Sequence, residues 1–369
     1  MNARASSRGS AAPPIVGLIG AGSASLAYLR TLDDLVARGL ARAGAVVVSS
    51  DSQDQRLASA RPSTRRVPSL DALLDDDVDV VVITTPPDSH AELARTCLHR
   101  GVHVVVEKPL AATVGEAREL FDLADERGLR LAAAPFVHLS PAMRLLALQV
   151  GGGVIGEVHS AQALYGNMRP TWASWYRQQR VGPLGDLAVY NIQSLVFLIG
   201  PVALVRCWES RSPLCQPGDV ADVVHVMLDH ESGARSTVMA SHAVQGYRRP
   251  ALELYGTRGT ANLLGDDWNP TGIDILTDEW GHWRSYASPD PTWNWTDGLR
   301  TAVAAISGAV GAGLDNDLSL HVLDVLTAAR ESADDDGSPR QVRSSFQLEP
   351  IDPVERTHLH DHTRPPDQQ

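Results

Sequence analysis

The chain has 369 residues, 43% of them hydrophobic, and a formal net charge of −12 at pH 7. This length predicts two domains with real cores, and the acidic balance argues against a nucleic-acid or membrane-surface partner. Three scattered cysteines indicate neither a disulfide framework nor a zinc site. The amino-terminal stretch lacks the apolar segment of a secretory signal, so we expect residues 1–13 to be a disordered arm in a cytoplasmic protein.

The first predicted element is a short apolar strand, Ile15–Ile19, followed by a Gly-rich turn and a helix over Leu26–Leu40. This order predicts a dinucleotide-binding turn, although an ordinary strand–turn–helix has the same pattern. A glycine at position 20 permits the tight turn, and one at position 22 lets a pyrophosphate approach the helix N-terminus. Ser25 stands where a third glycine is usual and predicts slightly looser packing. The helix stripe comprises Leu26, Leu29, Leu32, Leu35 and Val36, and the predicted cofactor contacts are Gly20, Ala21, Gly22, Ser23 and Ala24.

A second strand, Ala45–Val48, leads to Ser49, Ser50 and Asp51. An acid at this place accepts bonds from the adenosine ribose and repels a 2′-phosphate, so Asp51 favours NAD over NADP. The neighbouring serines could make room for a phosphate, Asp54 is a competing acid, and a solvated loop carboxylate is a third interpretation.

Strands are next predicted at Val78–Ile83, Val102–Val106 and Leu129–Ala134, alternating with helices. The helices run over His90–Arg100 and Val114–Arg127, with Ser89 and Thr113 as their expected N-caps. This alternation predicts a doubly wound parallel sheet, in which ligands lie beyond the carboxyl ends of the strands. Residues at four of those ends are Gly20, Asp51, Thr85 and Lys108.

Lys108 is the only lysine among the 32 Lys and Arg residues. A chain that uses arginine for ordinary cations retains lysine where a compact ammonium that can exchange a proton is needed. Chance survival of one lysine is the alternative. Its place directly after a buried strand favours the functional interpretation.

The first half of the chain resembles the Gfo/Idh/MocA (glucose–fructose oxidoreductase / inositol dehydrogenase) family. The similarity lies in Gly20-Ala21-Gly22, in residues 83–90 (ITTPPDSH) and most specifically in residues 101–110 (GVHVVVEKPL). It implies a Rossmann domain over residues 14–138 whose EKP lysine lies beside the nicotinamide and the substrate hydroxyl. The further cofactor contacts that it implies are Thr84, Thr85, Pro86, His90, Glu107 and Lys108.

The second domain is predicted over residues 139–350, with a polar tail at 351–369. A helix over residues 182–200 carries Asp186, Tyr190 and Gln193 at spacings that share one face. In the family this helix reads D-x-G-x-H-x-x-D and supplies the acid/base; here Tyr190 replaces His and Gln193 replaces the last Asp. This resembles the Tyr-containing branch with glucose–fructose oxidoreductase and dimeric dihydrodiol dehydrogenase. A core tyrosine is the alternative.

Two other features of this half are less specific. Arg177 lies in a segment that resembles one near the family's cofactor, and we assign it with Gln193 to substrate binding; a surface loop is equally consistent. The tryptophans between Trp268 and Trp295 could line a sugar pocket or fill a core or interface.

From Val202 onward the pattern is strand-rich, with a last strand expected at Phe346–Leu348. The fold class is therefore α/β, with a Rossmann domain and a C-terminal α+β domain whose sheet is open and largely antiparallel. The family resemblance implies a homodimer or homotetramer through the outer face of that sheet.

The expected activity is NAD(P)-dependent hydride transfer to or from a secondary alcohol or ketone of a sugar, nucleotide sugar or cyclitol, with no metal. Tyrosine alone is a poor base at neutral pH, and an adjacent ammonium stabilises its phenolate. We therefore expect Tyr190 to move the proton, Lys108 to polarise the substrate oxygen, and Asp186 to orient one of them. The alternatives are a non-catalytic NAD sensor, an NAD-assisted glycosidase and a purely structural protein.

Overall fold

The computed structural model describes residues 12–168, 181–216, 218–266, 268–308 and 316–347. Its helices are α1 (Ser23–Ala37), α2 (Asp51–Ala60), α3 (Leu70–Leu74), α4 (His90–His99), α5 (Val114–Glu126), α6 (Pro141–Gly151), α7 (Val189–Ile199), α8 (Gly298–Ile306) and α9 (Asn316–Ala333). Its strands are β1 (Ile15–Ile19), β2 (Arg42–Val47), β3 (Arg66–Val67), β4 (Val80–Ile83), β5 (His103–Val106), β6 (Leu131–Ala133), β7 (Val158–Gly166), β8 (Val202–Ser210), β9 (Val223–His230), β10 (Arg235–Ser241), β11 (Leu252–Gly256), β12 (Gly259–Asp266), β13 (Asn269–Thr277), β14 (Trp283–Ala287) and β15 (Arg340–Gln341).

The chain divides into two compact units. The first comprises Met1–Phe136 and Thr296–Asn316, and the second comprises Val137–Trp295 and Asp317–Gln369. The sequence predicted two continuous domains and placed residues 296–316 in the second, whereas these residues belong to the first unit. Polar contacts with α1 hold the returning segment: the hydroxyls of Thr296 and Thr31 lie 2.6 Å apart, and Arg300 donates to Asp34 at 2.6 Å.

The first unit is built on a six-stranded sheet in the order β3-β2-β1-β4-β5-β6. Every strand pair in it is parallel. The central strands are nearly all apolar and buried, as expected for a sheet covered on both faces. The strand order reverses between β1 and β4, which is where doubly wound sheets bind their ligands. The predicted doubly wound sheet is confirmed.

The structure corrects the predictions for α1 and for the segment after β2. The buried face of α1 is centred on Tyr28, Leu32 and Leu35, while Val36 is 40% exposed. The sequence also gave no indication of α2, because this helix is polar and Leu57 is its buried residue. Asp51 therefore begins a helix and does not end a strand.

The two predicted helix caps have different outcomes. Thr113 caps α5, accepting a hydrogen bond from the Glu116 N–H at 3.2 Å. Ser89 does not cap α4 through its side chain, because it ends a short 3₁₀ turn. Its hydroxyl instead donates to Thr85 Oγ1 at 2.7 Å, within the loop that follows β4.

The second unit is built on a nine-stranded sheet in the order β14-β13-β12-β11-β7-β10-β9-β8-β15. Only β7 and β10 pair in parallel within it; the other pairs are antiparallel. Burial alternates along β7 and β9, so one face packs into the core with α6, α7 and α9 and the other faces outward. This confirms the open, largely antiparallel sheet. Among the described residues the last strand is Arg340–Gln341, and the predicted strand is wrong at Phe346, whose ring centroid lies 5.3 Å from that of His321. Leu348 lies outside the described residues.

No disulfide joins any of the three cysteines, and two of them lie deep in the fold. Burial raises the pKa of the Cys97 thiol to about 12, and burial does the same for Cys207. Neither is a reactive thiolate at neutral pH. Over the ranges given above, no helix has the length and apolarity needed to cross a membrane.

Candidate active site

The turn between β1 and α1 forms a cradle at the switch point of the first sheet. Gly20 has φ +110°, and a Cβ there would stand 2.8 Å from Thr84 Oγ1, so this position requires glycine. Gly22 has extended backbone that any residue adopts, yet a Cβ there would point into space with no protein atom within 4 Å. The cradle opens at the N-terminus of a 15-residue helix whose first turn has no acid. These residues fit a dinucleotide pyrophosphate.

Ser25 strengthens the cradle, contrary to the expectation of looser packing. It is fully buried, its hydroxyl lies 2.7 Å from Thr84 Oγ1, and it accepts a bond from the Gly22 N–H at 3.2 Å. Because Thr84 donates its own hydrogen to Ile19 O, Ser25 is the donor to Thr84. The hydroxyl thus joins the turn to the end of β4. Ala21 is buried in the turn, whereas Ser23 is exposed and Ala24 half-buried.

The loops after β4 and β5 are joined by His90. Its Nε2 lies 2.8 Å from Thr85 O, and its Nδ1 lies 2.8 Å from Pro109 O. The side chain is 1% exposed, so both ring nitrogens are engaged with protein backbone. His90 thus positions the turn that carries Lys108, while Thr85 is half-buried and Pro86 exposed on the loop surface.

The turn after β5 carries Glu107 and Lys108. Glu107 is buried, accepting a bond from the Tyr28 hydroxyl at 2.9 Å and another from the Lys108 N–H at 3.3 Å. Lys108 itself is half-buried. The sequence did not identify Tyr28, because an aromatic residue on the apolar face of a helix has the pattern of ordinary core.

Asp51 is exposed in the first turn of α2, and Ser50 caps that helix by accepting from the Gln53 N–H. The Gln53 side chain accepts from both the N–H and the hydroxyl of Ser49. The first unit therefore gathers the predicted cofactor residues after β1, β4 and β5 at one sheet edge, with Asp51 following the neighbouring β2.

In the second unit the predicted helix is not regular. Leu184–Ala188 forms a π-helical turn that continues into α7, and such turns are frequent at functional sites. Asp186 lies in this turn, and Tyr190 follows on α7 with its ring 6.0 Å from that of Tyr165. Gln193 is fully buried, so its assignment to substrate binding stays a prediction. Arg177 lies outside the described residues.

Sequence reasoning missed the partner of Asp186. His242 follows β10 directly, and its Nε2 lies 3.1 Å from Asp186 Oδ2. The two residues are 56 positions apart, and a histidine after a strand carries no signal of its own. Lys108 belongs to the first unit, whereas Asp186, Tyr190 and His242 belong to the second.

Among the described residues, no group of three or more His, Cys, Asp or Glu side chains is arranged to hold a metal ion. The candidate groups for proton transfer are Lys108 in the first unit and, in the second, Tyr190 and the Asp186–His242 pair.

The strand order of the first sheet and its open glycine cradle define the class of dinucleotide-binding proteins, here with a second α+β unit. Residues 15–134 match the oxidoreductase family with an NAD-binding Rossmann fold, and residues 144–262 match the Gfo/Idh/MocA C-terminal domain. The chain belongs to the Gfo/Idh/MocA oxidoreductase family, as the sequence resemblance indicated.

Similar curated proteins include levoglucosan dehydrogenase of Pseudarthrobacter phenanthrenivorans, 28% identical over 51% of this chain and 56% of that one. Bovine trans-1,2-dihydrobenzene-1,2-diol dehydrogenase is 27% identical over 61% of this chain and 66% of its own length. The aligned part thus spans less than two thirds of both relatives.

Two solved structures share the fold. An Agrobacterium radiobacter oxidoreductase in complex with NAD⁺, L-tartaric acid and magnesium has a TM-score of 0.76 at 19% identity, covering 89% of this chain and 98% of that one. GenD2 from gentamicin A biosynthesis, in complex with NAD, has a TM-score of 0.75 at 25% identity, covering 92% and 100%.

Proposed function

We propose that this protein is an NAD(P)-dependent dehydrogenase or reductase acting on a secondary alcohol or ketone of a sugar, nucleotide sugar or cyclitol. The observation that carries the proposal is the open space at Gly22, on the same sheet edge as the turn that holds Lys108. Two relatives named as dehydrogenases, of levoglucosan and of a dihydrodiol, support the CH–OH substrate class.

The residues have separate roles in this proposal. The cradle at Gly20 and Gly22 would hold the dinucleotide, which would supply hydride transfer to or from the carbinol carbon. Tyr190 takes the hydroxyl proton during oxidation and gives it back during reduction. Lys108 places positive charge where the alkoxide develops, and this charge also favours the phenolate form of Tyr190. Asp186 orients the proton-transfer group.

NAD is the proposed cofactor in preference to NADP. Asp51 in the first turn of α2 supports this, because its carboxylate would repel a 2′-phosphate. The shift in melting temperature with each dinucleotide tests the preference separately from turnover. A larger shift with NADP would contradict it.

The activity is tested with a panel of sugars, cyclitols, levoglucosan and a trans-dihydrodiol, each with NAD and NADP, followed by absorbance of the reduced cofactor. We expect turnover of at least one polyol and a loss of about a hundredfold or more in kcat for Tyr190→Phe and for Lys108→Met. Full turnover in both variants, with unchanged cofactor affinity, would exclude these roles.

The same panel separates the alternatives. Dinucleotide binding without turnover indicates a sensor, and release of free aglycone without net reduced cofactor indicates an NAD-assisted glycosidase. A protein that no dinucleotide stabilises is structural only. Each of these outcomes would replace the proposed dehydrogenase.

We also propose a homodimer or homotetramer through the outer face of the second sheet. Exposed apolar side chains on β8 and β14, Trp208 and Trp283, support this, as does half-buried Met239 on β10. Light scattering should show that Met239→Glu dissociates the oligomer, whereas Leu40→Glu, at an exposed apolar residue of the first unit, leaves it intact. The cytoplasmic location stays a prediction.

A further inference from the structure

The Asp186–His242 contact is a feature of the second unit that the sequence pattern did not indicate. Asp186 lies in the π-helical turn before α7, and His242 directly follows the last residue of β10. The imidazole Nε2 and the carboxylate Oδ2 are 3.1 Å apart. A carboxylate only accepts hydrogen bonds, so Nε2 carries the hydrogen and donates it.

The relative exposure of the two side chains decides which one faces the solvent. The His242 side chain is 2% exposed and that of Asp186 is 15% exposed. The carboxylate is therefore the accessible member of the pair, and the imidazole lies behind it. A group in this position influences chemistry through the carboxylate and does not itself meet a substrate.

The backbone around His242 is firmly held. The His242 N–H donates to Asp222 O at 2.9 Å, and the Ser241 hydroxyl donates to the same oxygen at 3.0 Å. The Asp222 carboxylate is buried and accepts from the N–H and the hydroxyl of Ser212 at 2.7 and 2.6 Å. The backbone of His242 is thus held in place by hydrogen bonds. Asp186 lies in an irregular turn, where regular helix geometry does not fix the direction of its side chain.

We propose that His242 is the positioning residue for Asp186. Its N–H holds one carboxylate oxygen, which keeps the carboxylate in a single orientation on the helix that carries Tyr190. The inference rests on the proposed function, because it gives Asp186 a part in proton transfer through Tyr190. A carboxylate that orients a proton-transfer group needs this support, since a misplacement of about 1 Å can reduce turnover by on the order of a hundredfold.

Three substitutions separate positioning from simple stabilisation. His242→Gln keeps an amide N–H at about the reach of Nε2, His242→Leu removes the donor, and His242→Asn keeps a polar group too short to reach Asp186. His230 provides the matched control, because it is also a buried histidine of this unit and bonds Gly200 O and Ser236 Oγ. His230→Gln and His230→Leu measure the cost of losing a buried histidine elsewhere.

Crystal structures and kinetics are then compared for all five variants and the wild type, with the polyol panel and both cofactors. We expect Asp186 to keep its orientation in His242→Gln, with kcat within about threefold of wild type. In His242→Leu and His242→Asn we expect Asp186 to turn away and kcat to fall about tenfold to a hundredfold, with KM and cofactor affinity nearly unchanged. The His230 variants should lose melting temperature and keep kcat.

The proposal is overturned if Asp186 keeps its orientation in both His242→Leu and His242→Asn, or if kcat stays at the wild-type value when Asp186 has moved. Loss of kcat in His242→Gln equal to that in His242→Leu would also overturn it. If the wild type turns over no member of the panel, the proposed function fails. The orientation of Asp186 in the variant structures still decides whether His242 positions it.

Discussion

The Tyr28 hydroxyl donates a 2.9 Å hydrogen bond to Glu107 Oε1 inside the first unit. Tyr28 lies on α1, which begins at the glycine cradle, and Glu107 directly precedes Lys108. The cradle and the lysine turn are therefore joined through the interior as well as along the sheet edge.

Tyr28→Phe should lower the free energy of unfolding by about 1–3 kcal/mol, because it removes a donor from a buried carboxylate. Urea unfolding measures this loss. The same change at Tyr255, which is half-buried on β11 of the second unit, is the control. Equal losses of unfolding free energy in the two variants would show that the Tyr28–Glu107 hydrogen bond contributes no more to stability than an ordinary tyrosine hydroxyl.

The two cradle glycines should respond in opposite ways. Gly20→Ala forces a side chain into φ +110° against Thr84, which should cost about 1–3 kcal/mol of stability. A Cβ at Gly22 meets no protein atom within 4 Å, so Gly22→Val should fold normally and weaken dinucleotide binding at least tenfold, about 1.4 kcal/mol. Thermal melting and calorimetric titration with NAD distinguish the two effects. Tight NAD binding by Gly22→Val would place the pyrophosphate elsewhere.

Lys108 and Tyr190 should be coupled in a double-mutant cycle. If both act on one reacting hydroxyl, Lys108→Met combined with Tyr190→Phe loses less kcat than the product of the single losses. Strictly multiplicative losses would mean that the two residues act independently. Lys108→Arg tests whether charge alone suffices, and substantial activity in that variant would argue against proton exchange by the lysine.

His321 should make the protein sensitive to acid. Burial lowers the pKa of this ring below its ordinary 6.5, and Nε2 must stay unprotonated because it accepts the Val202 N–H at 2.9 Å. Below pH 6.5 the folded state then binds fewer protons than the unfolded state. The contribution of neutral His321 to the free energy of unfolding is therefore present above pH 6.5 and is lost as pH falls through the folded pKa.

Urea midpoints at pH 7.5 and pH 5.5 measure this loss, which is at most about 1.4 kcal/mol per pH unit for one proton. His321→Gln should reduce the difference between the two midpoints. His159→Gln, at an exposed position, should leave it unchanged. An equal pH difference in wild type and His321→Gln would contradict the prediction.

The features that the sequence could predict are those that depend on residues close together along the chain. The buried strand Ile15–Ile19 and the Thr113 cap are confirmed because an apolar run and a capping hydroxyl act on their own neighbours. Helix α2 was missed because it buries little apolar surface, and the Ser89 cap was wrong because this residue ends a 3₁₀ turn.

Contacts between distant segments could not be predicted in this way. The sequence predicted looser packing at Ser25, because it does not show that the Thr84 hydroxyl lies 2.7 Å away. It gave no signal for His242, because the role of this residue depends on its contact with Asp186. Both depend on strand order and on where a neighbouring strand ends. A single sequence specifies these only through the complete fold.

The return of α8 to the first unit has a consequence for synthesis on the ribosome. The Phe136 ring lies so close to the α8 backbone that a Cβ at Gly298 would overlap it, at 2.1 Å. The first unit thus receives its last helix only after the intervening residues of the second have been made. The first unit therefore cannot complete its folding before most of the second unit has been synthesised. Nascent chains halted before Gly298 should accordingly be cleaved readily by protease near Phe136.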